Sequence, residues 1–226
     1  MDKQHLAIAI DGPSGAGKST IARLLAADLR FIYVDTGALY RAVGYTMLQE
    51  GIDPADAAAV EERLPELQVE LRYVDGVQRV FVNDQDVSDC IRTPEVSMAA
   101  SAVSALPAVR QFLLQLQRDL AASSNVIMDG RDIGTVVLPD AGLKIFLTAS
   151  PEERARRRYL ELQEKGADTT LEAVLEDMRQ RDHNDSNRAA APLKAAEDAV
   201  MVDTTGCSLE EAVERMKKLA KERIGK

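Results

Sequence analysis

The string Gly12-Pro13-Ser14-Gly15-Ala16-Gly17-Lys18-Ser19 constrains this chain more than any other part of it. An apolar run, His5 to Asp11, precedes it and reads as a buried strand. Ile21, Leu24, Leu25 and Leu29 follow it at helical spacing. A strand, a glycine-rich turn and a helix in that order let backbone N–H groups turn inward around phosphate oxygens. The positive N-terminal end of the helix adds to them. Lys18 is placed to reach the β- and γ-phosphates, and the Ser19 hydroxyl to ligate Mg²⁺. The pattern points to a nucleoside triphosphate but not to a reaction: a kinase, a GTPase-type switch and a module that only binds all remain open. A guanine-reading switch needs [NT]-K-x-D. The nearest string, Asn83-Asp84-Gln85-Asp86, lacks the lysine and lies in a hairpin region, so it is a decoy.

The remaining periodicity sets the fold class. Phe31 to Asp35, Asn125 to Asp129, Leu143 to Thr148 and Ala199 to Asp203 are further short apolar strands, and helical patterns separate them. A helix is expected over Ala38 to Glu50, ended by Gly51. Thr93 and Pro94 open another, and Pro107 a third. Capping boxes are expected at Ser150 to Glu153, Thr169 to Glu172 and Ser208 to Glu211. Five apolar strands between helices predict an α/β fold with a parallel sheet covered on both faces. Leu67 to Val74 and Val77 to Val82 behave differently: they alternate about Asp75-Gly76, which predicts a hairpin with one face in water. Residues 64–92 are therefore expected as a small antiparallel insertion in a core of residues 1–63 and 93–226.

Composition narrows the classes further. Among 226 residues, 46% are hydrophobic, too many for a disordered chain. No apolar run approaches the roughly 18 to 20 residues of a membrane span, so no membrane partner is expected. The stretch Leu6 to Ile10 is too short for a signal-peptide core. The two cysteines, Cys90 and Cys207, stand in no metal or redox spacing and read as free thiols in a reducing cytoplasm. Lys and Arg number 28 against 37 Asp and Glu, a net charge of −9, which disfavours a nucleic acid polymer. Arginines nonetheless cluster at 154, 156, 157 and 158, then at 179, 181 and 188. Local cations on an acidic background suggest a small anionic ligand.

A second ligand is suggested at the carboxyl ends of the strands, where open α/β sheets bind. In Asp35-Thr36-Gly37-Ala38-Leu39-Tyr40-Arg41, Thr36 and Arg41 suit a phosphate and Tyr40 could flank it. The plainer alternative is an N-capped helix with a solvent arginine. In Asp129-Gly130-Arg131-Asp132, Arg131 could offer two parallel N–H bonds to a phosphate, or pair with a neighbouring Asp. Arg181, Asp185 and Arg188 share one helical face, either as a surface ion-pair ladder or as cations closing over transferring phosphates. His183 is a possible base, but a lone His near an Asp reads first as structural or solvated.

Together these strings resemble the bacterial cytidylate kinase (CMP kinase) family almost from end to end. The resemblance rests on IDGPSGAGKST, DTGALYR, the hairpin insertion, IRTPEVS, MDGRDIGTVV, KIFL, ERARRR, LQEKG and RDHNDSNR. It implies a P-loop NTPase three-layer fold with strand order 2-3-1-4-5 and transfer of the ATP γ-phosphate to CMP or dCMP. It implies ATP binding by Gly12 to Thr20, with Arg154, Arg157 and Arg158 in a lid at about 152–168. It implies acceptor-phosphate contacts at Thr36, Tyr40 and Arg41, and cytosine reading by Ser101, Arg110 and Asp132. Arg131, Arg181 and Arg188 match phosphate-binding arginines, and Asp185 a ribose contact. Gly44 and Tyr45 are departures expected to loosen or repack the acceptor helix. Lid closure is expected to exclude water, and the chain to act as a monomer. The rivals are a kinase for another small acceptor and a nucleotide-gated binding module.

Overall fold

In the computed structural model, residues 5–164 and 166–225 are described; Lys165, inside the expected lid, lies outside them, as do residues 1–4 and 226. The chain divides into two compact units, one of Met1–Tyr33 with Ala121–Lys226, the other Val34–Leu120.

The first unit is built on strands β1 (Ala7–Asp11), β6 (Val126–Gly130), β7 (Leu143–Thr148) and β8 (Val200–Asp203). With β2 (Ile32–Asp35) they form one five-stranded sheet in the order β2-β6-β1-β7-β8, which is 2-3-1-4-5 when its own strands are counted along the chain. β1 lies between β6 and β7 and is parallel to both. Such a central strand has no solvent face, which explains the unbroken apolar run of Ile8, Ala9 and Ile10, each fully buried. Helices α1 (Lys18–Leu29) and α8 (Leu209–Ile224) add Ile21, Leu25, Val213 and Met216 to this core. Ser208 caps α8 through a complete capping box with Glu211. Helices α6 (Pro151–Glu164) and α7 (Leu171–Asn187) make a smaller core of Ala155, Val174 and Met178. Thr170 rather than Thr169 caps α7, accepting the Ala173 amide at 3.2 Å. Thr170, in extended backbone, precedes the first helical residue and so holds the capping position.

The second unit has its own core. Helix α2 (Thr36–Gln49) begins two residues earlier than its apolar pattern suggests, because Asp35 caps it by accepting the Ala38 amide at 2.9 Å. A short helix, α3 (Ala57–Arg63), follows. Strands β3 (Val69–Val74), β4 (Val77–Val82) and β5 (Gln85–Asp86) form an antiparallel sheet. Helices α4 (Pro94–Ser104) and α5 (Pro107–Ser123) complete the unit, with Thr93 capping α4 as its sequence requires. Leu39, Val43 and Met47 of α2 pack with Val80 and Val82 of β4, Val96 and Val103 of α4, and Val109 and Leu113 of α5. The hairpin region therefore shares one core with three helices, and the insertion expected at 64–92 is only part of a unit of residues 34–120. Packing its apolar face against helices gives so small a sheet the burial it needs to be stable.

Gly44 is where α2 meets α4. A Cβ there would lie 2.9 Å from the Ala100 amide nitrogen and 2.9 Å from the Ala99 carbonyl carbon. The glycine thus permits close helix approach, and the loosening expected of it is not what the structure shows.

Candidate active site

The loop after β1 is shaped by backbone. Gly12 has φ of 148°, and a Cβ on it would stand 1.9 Å from the Leu147 carbonyl oxygen, so no other residue fits. Pro13, Ser14, Gly15 and Ala16 carry the turn to Gly17, whose φ of 87° sets the start of α1. Lys18, Ser19 and Thr20 form the first turn of α1, where unpaired amides and the helix dipole favour an anion. The buried Lys18 ammonium donates to the Pro13 carbonyl at 2.6 Å. Burial, then the nearby Arg131 charge, pushes its pKa down to about 7. Ser19 Oγ donates to Asp129 Oδ2 at 2.8 Å, and the Tyr33 hydroxyl donates to Oδ1 of the same carboxylate at 2.8 Å.

At the ends of β1 and β6 four further charges converge. Arg131 Nε donates to Asp185 Oδ2 at 2.8 Å. Arg188 lies 3.5 Å from Asp132 Oδ1 and 3.9 Å from Asp185 Oδ1. The Arg181 charge also acts on Asp185. Burial pushes the Asp185 carboxyl up, but Arg131, Arg188 and Arg181 outweigh it and hold its pKa below the ordinary value. The side chains of Asp185 and Arg188 are only 10% and 6% exposed, so this is no surface ion-pair ladder. His183, by contrast, is exposed and contacts Asn187. Asp11 is buried beside this cluster, and burial pushes its pKa up to about 6.

Of the arginines on α6, Arg154, Arg157 and Arg158 differ from one another. Arg154 is buried and donates to the Ser14 carbonyl at 2.9 Å, the Ala149 carbonyl at 3.0 Å and Asp182 at 2.7 Å. It therefore braces the loop that carries Ser14. Arg157 is bound to the Thr204 carbonyl at 2.9 Å and Glu153 at 3.1 Å, and Arg158 to Glu161 at 3.1 Å.

The second unit gathers a separate set. Asp35, buried at the start of α2, accepts from Arg41 at 3.0 Å and from Arg92 at 3.2 Å. Burial pushes its carboxyl up, but the two arginines and the Ala38 amide together hold it below its ordinary value. Thr36 is buried beside it, and Gln78 of β4 accepts the Asp35 amide at 3.3 Å. The Arg110 guanidinium lies over the Tyr40 ring at 5.7 Å and donates to the Ser104 carbonyl at 3.4 Å. Ser101, partly buried, sits one helical turn before Ser104 on α4. Packing of α2, α4 and α5 thus brings Tyr40, Arg41, Ser101 and Arg110 into one unit from three helices.

A family model described as cytidylate kinase matches residues 8–222. The chain belongs to the cytidylate kinase family. Among curated proteins, it is 52% identical to the cytidylate kinase of Caldicellulosiruptor bescii, over 94% of each chain. It is 50% identical to the cytidylate kinase of Desulfitobacterium hafniense, over 98% of this chain and 95% of that one. Among solved structures, an uncharacterized protein from Eubacterium ventriosum aligns with TM-score 0.53 and 11% identity, covering 97% of this chain and all of the other, which bears on the fold alone. Membership makes the chain an ATP-dependent nucleoside monophosphate kinase, a transferase with a P-loop fold and nucleotide substrates.

Against the cytidylate kinase pattern, the structure adds four residues that the sequence left without a part: Asp129, Tyr33, Arg92 and Asp11. Asp129 adjoins Arg131 in a recognised string, so its partnership with Ser19 had some signal. Arg92 stands in the string IRTPEVS, but nothing there pointed to Asp35, 57 residues away.

Proposed function

We propose that this member of the family transfers the γ-phosphate of ATP to CMP or dCMP, giving ADP and CDP or dCDP. What carries the reading is the Lys18 loop and the Arg131, Asp185, Arg188 and Asp132 cluster in a chain matching cytidylate kinases over nearly its whole length. Gly12 to Thr20 would hold the triphosphate of ATP, with Arg154, Arg157 and Arg158 in a lid at about 152–168. Thr36, Tyr40 and Arg41 would hold the acceptor phosphate. Ser101, Arg110 and Asp132 would read cytosine, and Asp185 the ribose. Cytosine presents acceptors at O2 and N3 and a donor at N4, so a donor arginine with an acceptor Ser or Asp separates it from uracil.

Mg²⁺ fits the donor set at Ser19 and Asp129: a hydroxyl on a buried carboxylate, both hard oxygen ligands. When bound it offsets phosphate charge. The chain's own work is neutralisation and positioning. Lys18, Arg131, Arg181 and Arg188 balance the crowded phosphates, and the acceptor phosphate is already an anion, so no strong base is required.

Arg131 is already held by the Asp185 carboxylate and Arg188 by the Ala191 carbonyl at 2.7 Å, which limits their reorganisation when phosphates arrive. Among the described residues no single helix is long and apolar enough to cross a membrane. The net charge of −9 supports a monomer working on small nucleotides and not on a nucleic acid polymer.

The deciding experiment measures ADP release from Mg·ATP with CMP, dCMP, UMP, AMP and GMP, beside a blank without acceptor. Stimulation by CMP and dCMP above the others is expected. A panel flat at the blank would overturn the acceptor assignment.

A further inference from the structure

A five-residue helical turn, Ile133–Val137, follows the Arg131-Asp132 pair. Asp132 stands at its capping position with φ of −147°, yet its side chain makes no capping bond. Its carboxylate meets Arg188 instead, at 3.5 Å. The first amides of a helical turn have no partner within the turn and need one when buried. Ile133 and Gly134 are both buried. Their partner comes from a distant strand. Asp11 Oδ1 accepts the Ile133 amide at 2.7 Å, and Oδ2 accepts the Gly134 amide at 2.7 Å. Asp11 stands 122 residues before Ile133, as the last residue of β1 and the last before Gly12. Charged acceptors make the stronger hydrogen bonds, and here both oxygens are engaged.

The side chain that sequence position nominates as the cap is thus left to Arg188, and a carboxylate from β1 caps the turn instead. We propose that Asp11 is a positioning residue for the acceptor side of the reaction: it caps the 133–137 turn in place of Asp132, so that the Asp132 carboxylate is held toward Arg188. The inference deepens the proposed function and rests on the role given there to Asp132. Without Asp11, the Asp132 carboxylate is the nearest in sequence to the uncapped amides, and turning to them withdraws it from Arg188. A displacement of about 1 Å in a recognition group is enough to matter greatly in catalysis.

The test uses Asp11→Asn, which keeps the volume and one acceptor oxygen but sets an NH2 donor against the other amide. Amide hydrogen exchange is followed across residues 131–138 and 12–18, and KM for CMP and for ATP is measured in D11N, D132N and the double variant. Exchange at 133 and 134 should rise by at least about tenfold in D11N while the 12–18 segment is unchanged. KM for CMP should rise about tenfold, with KM for ATP within about twofold. In the D132N background, D11N should add less than about twofold, because the two act through one turn. Unchanged exchange, an equal rise in both KM values, or a full additive effect in the double variant would each overturn the proposal. Should D11N not fold, the wild-type pattern decides: amides 133 and 134 must exchange slowly despite opening a helical turn, and fast exchange there sinks the idea. A wild-type protein unresponsive to CMP would remove the acceptor assignment, while the exchange data would still judge whether Asp11 caps the turn.

Discussion

The two units handle anions differently. In the unit built on the large sheet, the phosphate loop is a contiguous string whose glycines shape a backbone cradle, supplemented by Lys18. In the unit of residues 34–120, the groups proposed for a ligand are side chains from α2, α4 and α5, placed by helix packing. Backbone amides carry no side-chain entropy and depend mostly on local conformation, here with one distant brace, Arg154 on the Ser14 carbonyl. Side chains on three helices depend on every contact that sets the helices' spacing. The cradle should therefore tolerate loss of packing among α2, α4 and α5, and the assembled set should not. Both units share one device, arginines held on buried carboxylates: Arg131 on Asp185 in one, Arg41 and Arg92 on Asp35 in the other.

The largest effect expected is at Lys18. Lys18→Ala should lower turnover about 10³-fold, as loss of a principal electrostatic contact to reacting phosphates does. The melting temperature should stay nearly constant, since the loop's shape is set by glycines. An unaltered rate would break the idea of a cradle completed by one cation. Next comes Gly44→Val. Forcing α2 from α4 should cost about 1–3 kcal/mol. That should appear as a lower midpoint in thermal unfolding, with KM rising for CMP more than for ATP. A variant as stable as wild type would show that the close approach is not required.

Arg110→Ala is expected to be smaller and more selective. KM for CMP should rise about tenfold, equivalent to about 1.4 kcal/mol, with KM for ATP little changed. Equal effects on both substrates would make Arg110 a packing residue over Tyr40. The smallest effect is a proton. The Lys18 pKa, lowered to about 7 by burial, leaves the amine largely neutral at pH 8 in the free protein. Triphosphate favours the charged form, so ATP binding at pH 8 should take up as much as about one proton, falling toward none near pH 5.5. Calorimetry in buffers of different ionisation heat reads this directly. A binding heat independent of buffer at pH 8 would contradict it.

Local patterns explain how much could be read without coordinates. Strand, turn and helix around residues 7–29 are legible because each neighbour in the string is also a neighbour in space. The same holds for the Ser208 to Glu211 box and for the Thr93-Pro94 opening of α4, where cap and capped amide lie three residues apart. The five apolar runs specify a covered parallel sheet, since only strands buried on both faces lose their alternation. Determined elsewhere were the pairing of Asp35 with Arg92, the bracing of Ser14 by Arg154 across 140 positions, and the capping of residues 133 and 134 by Asp11. Nothing in the local sequence distinguishes Arg154 from Arg158; one is buried against backbone carbonyls and the other lies beside Glu161. Sequence by itself determined which segments become strands, helices and the phosphate turn, because propensity, capping and periodicity act over a few residues. Tertiary structure alone decided which carboxylate meets which arginine or amide, because a buried charge is assigned a partner only when the chain around it has closed.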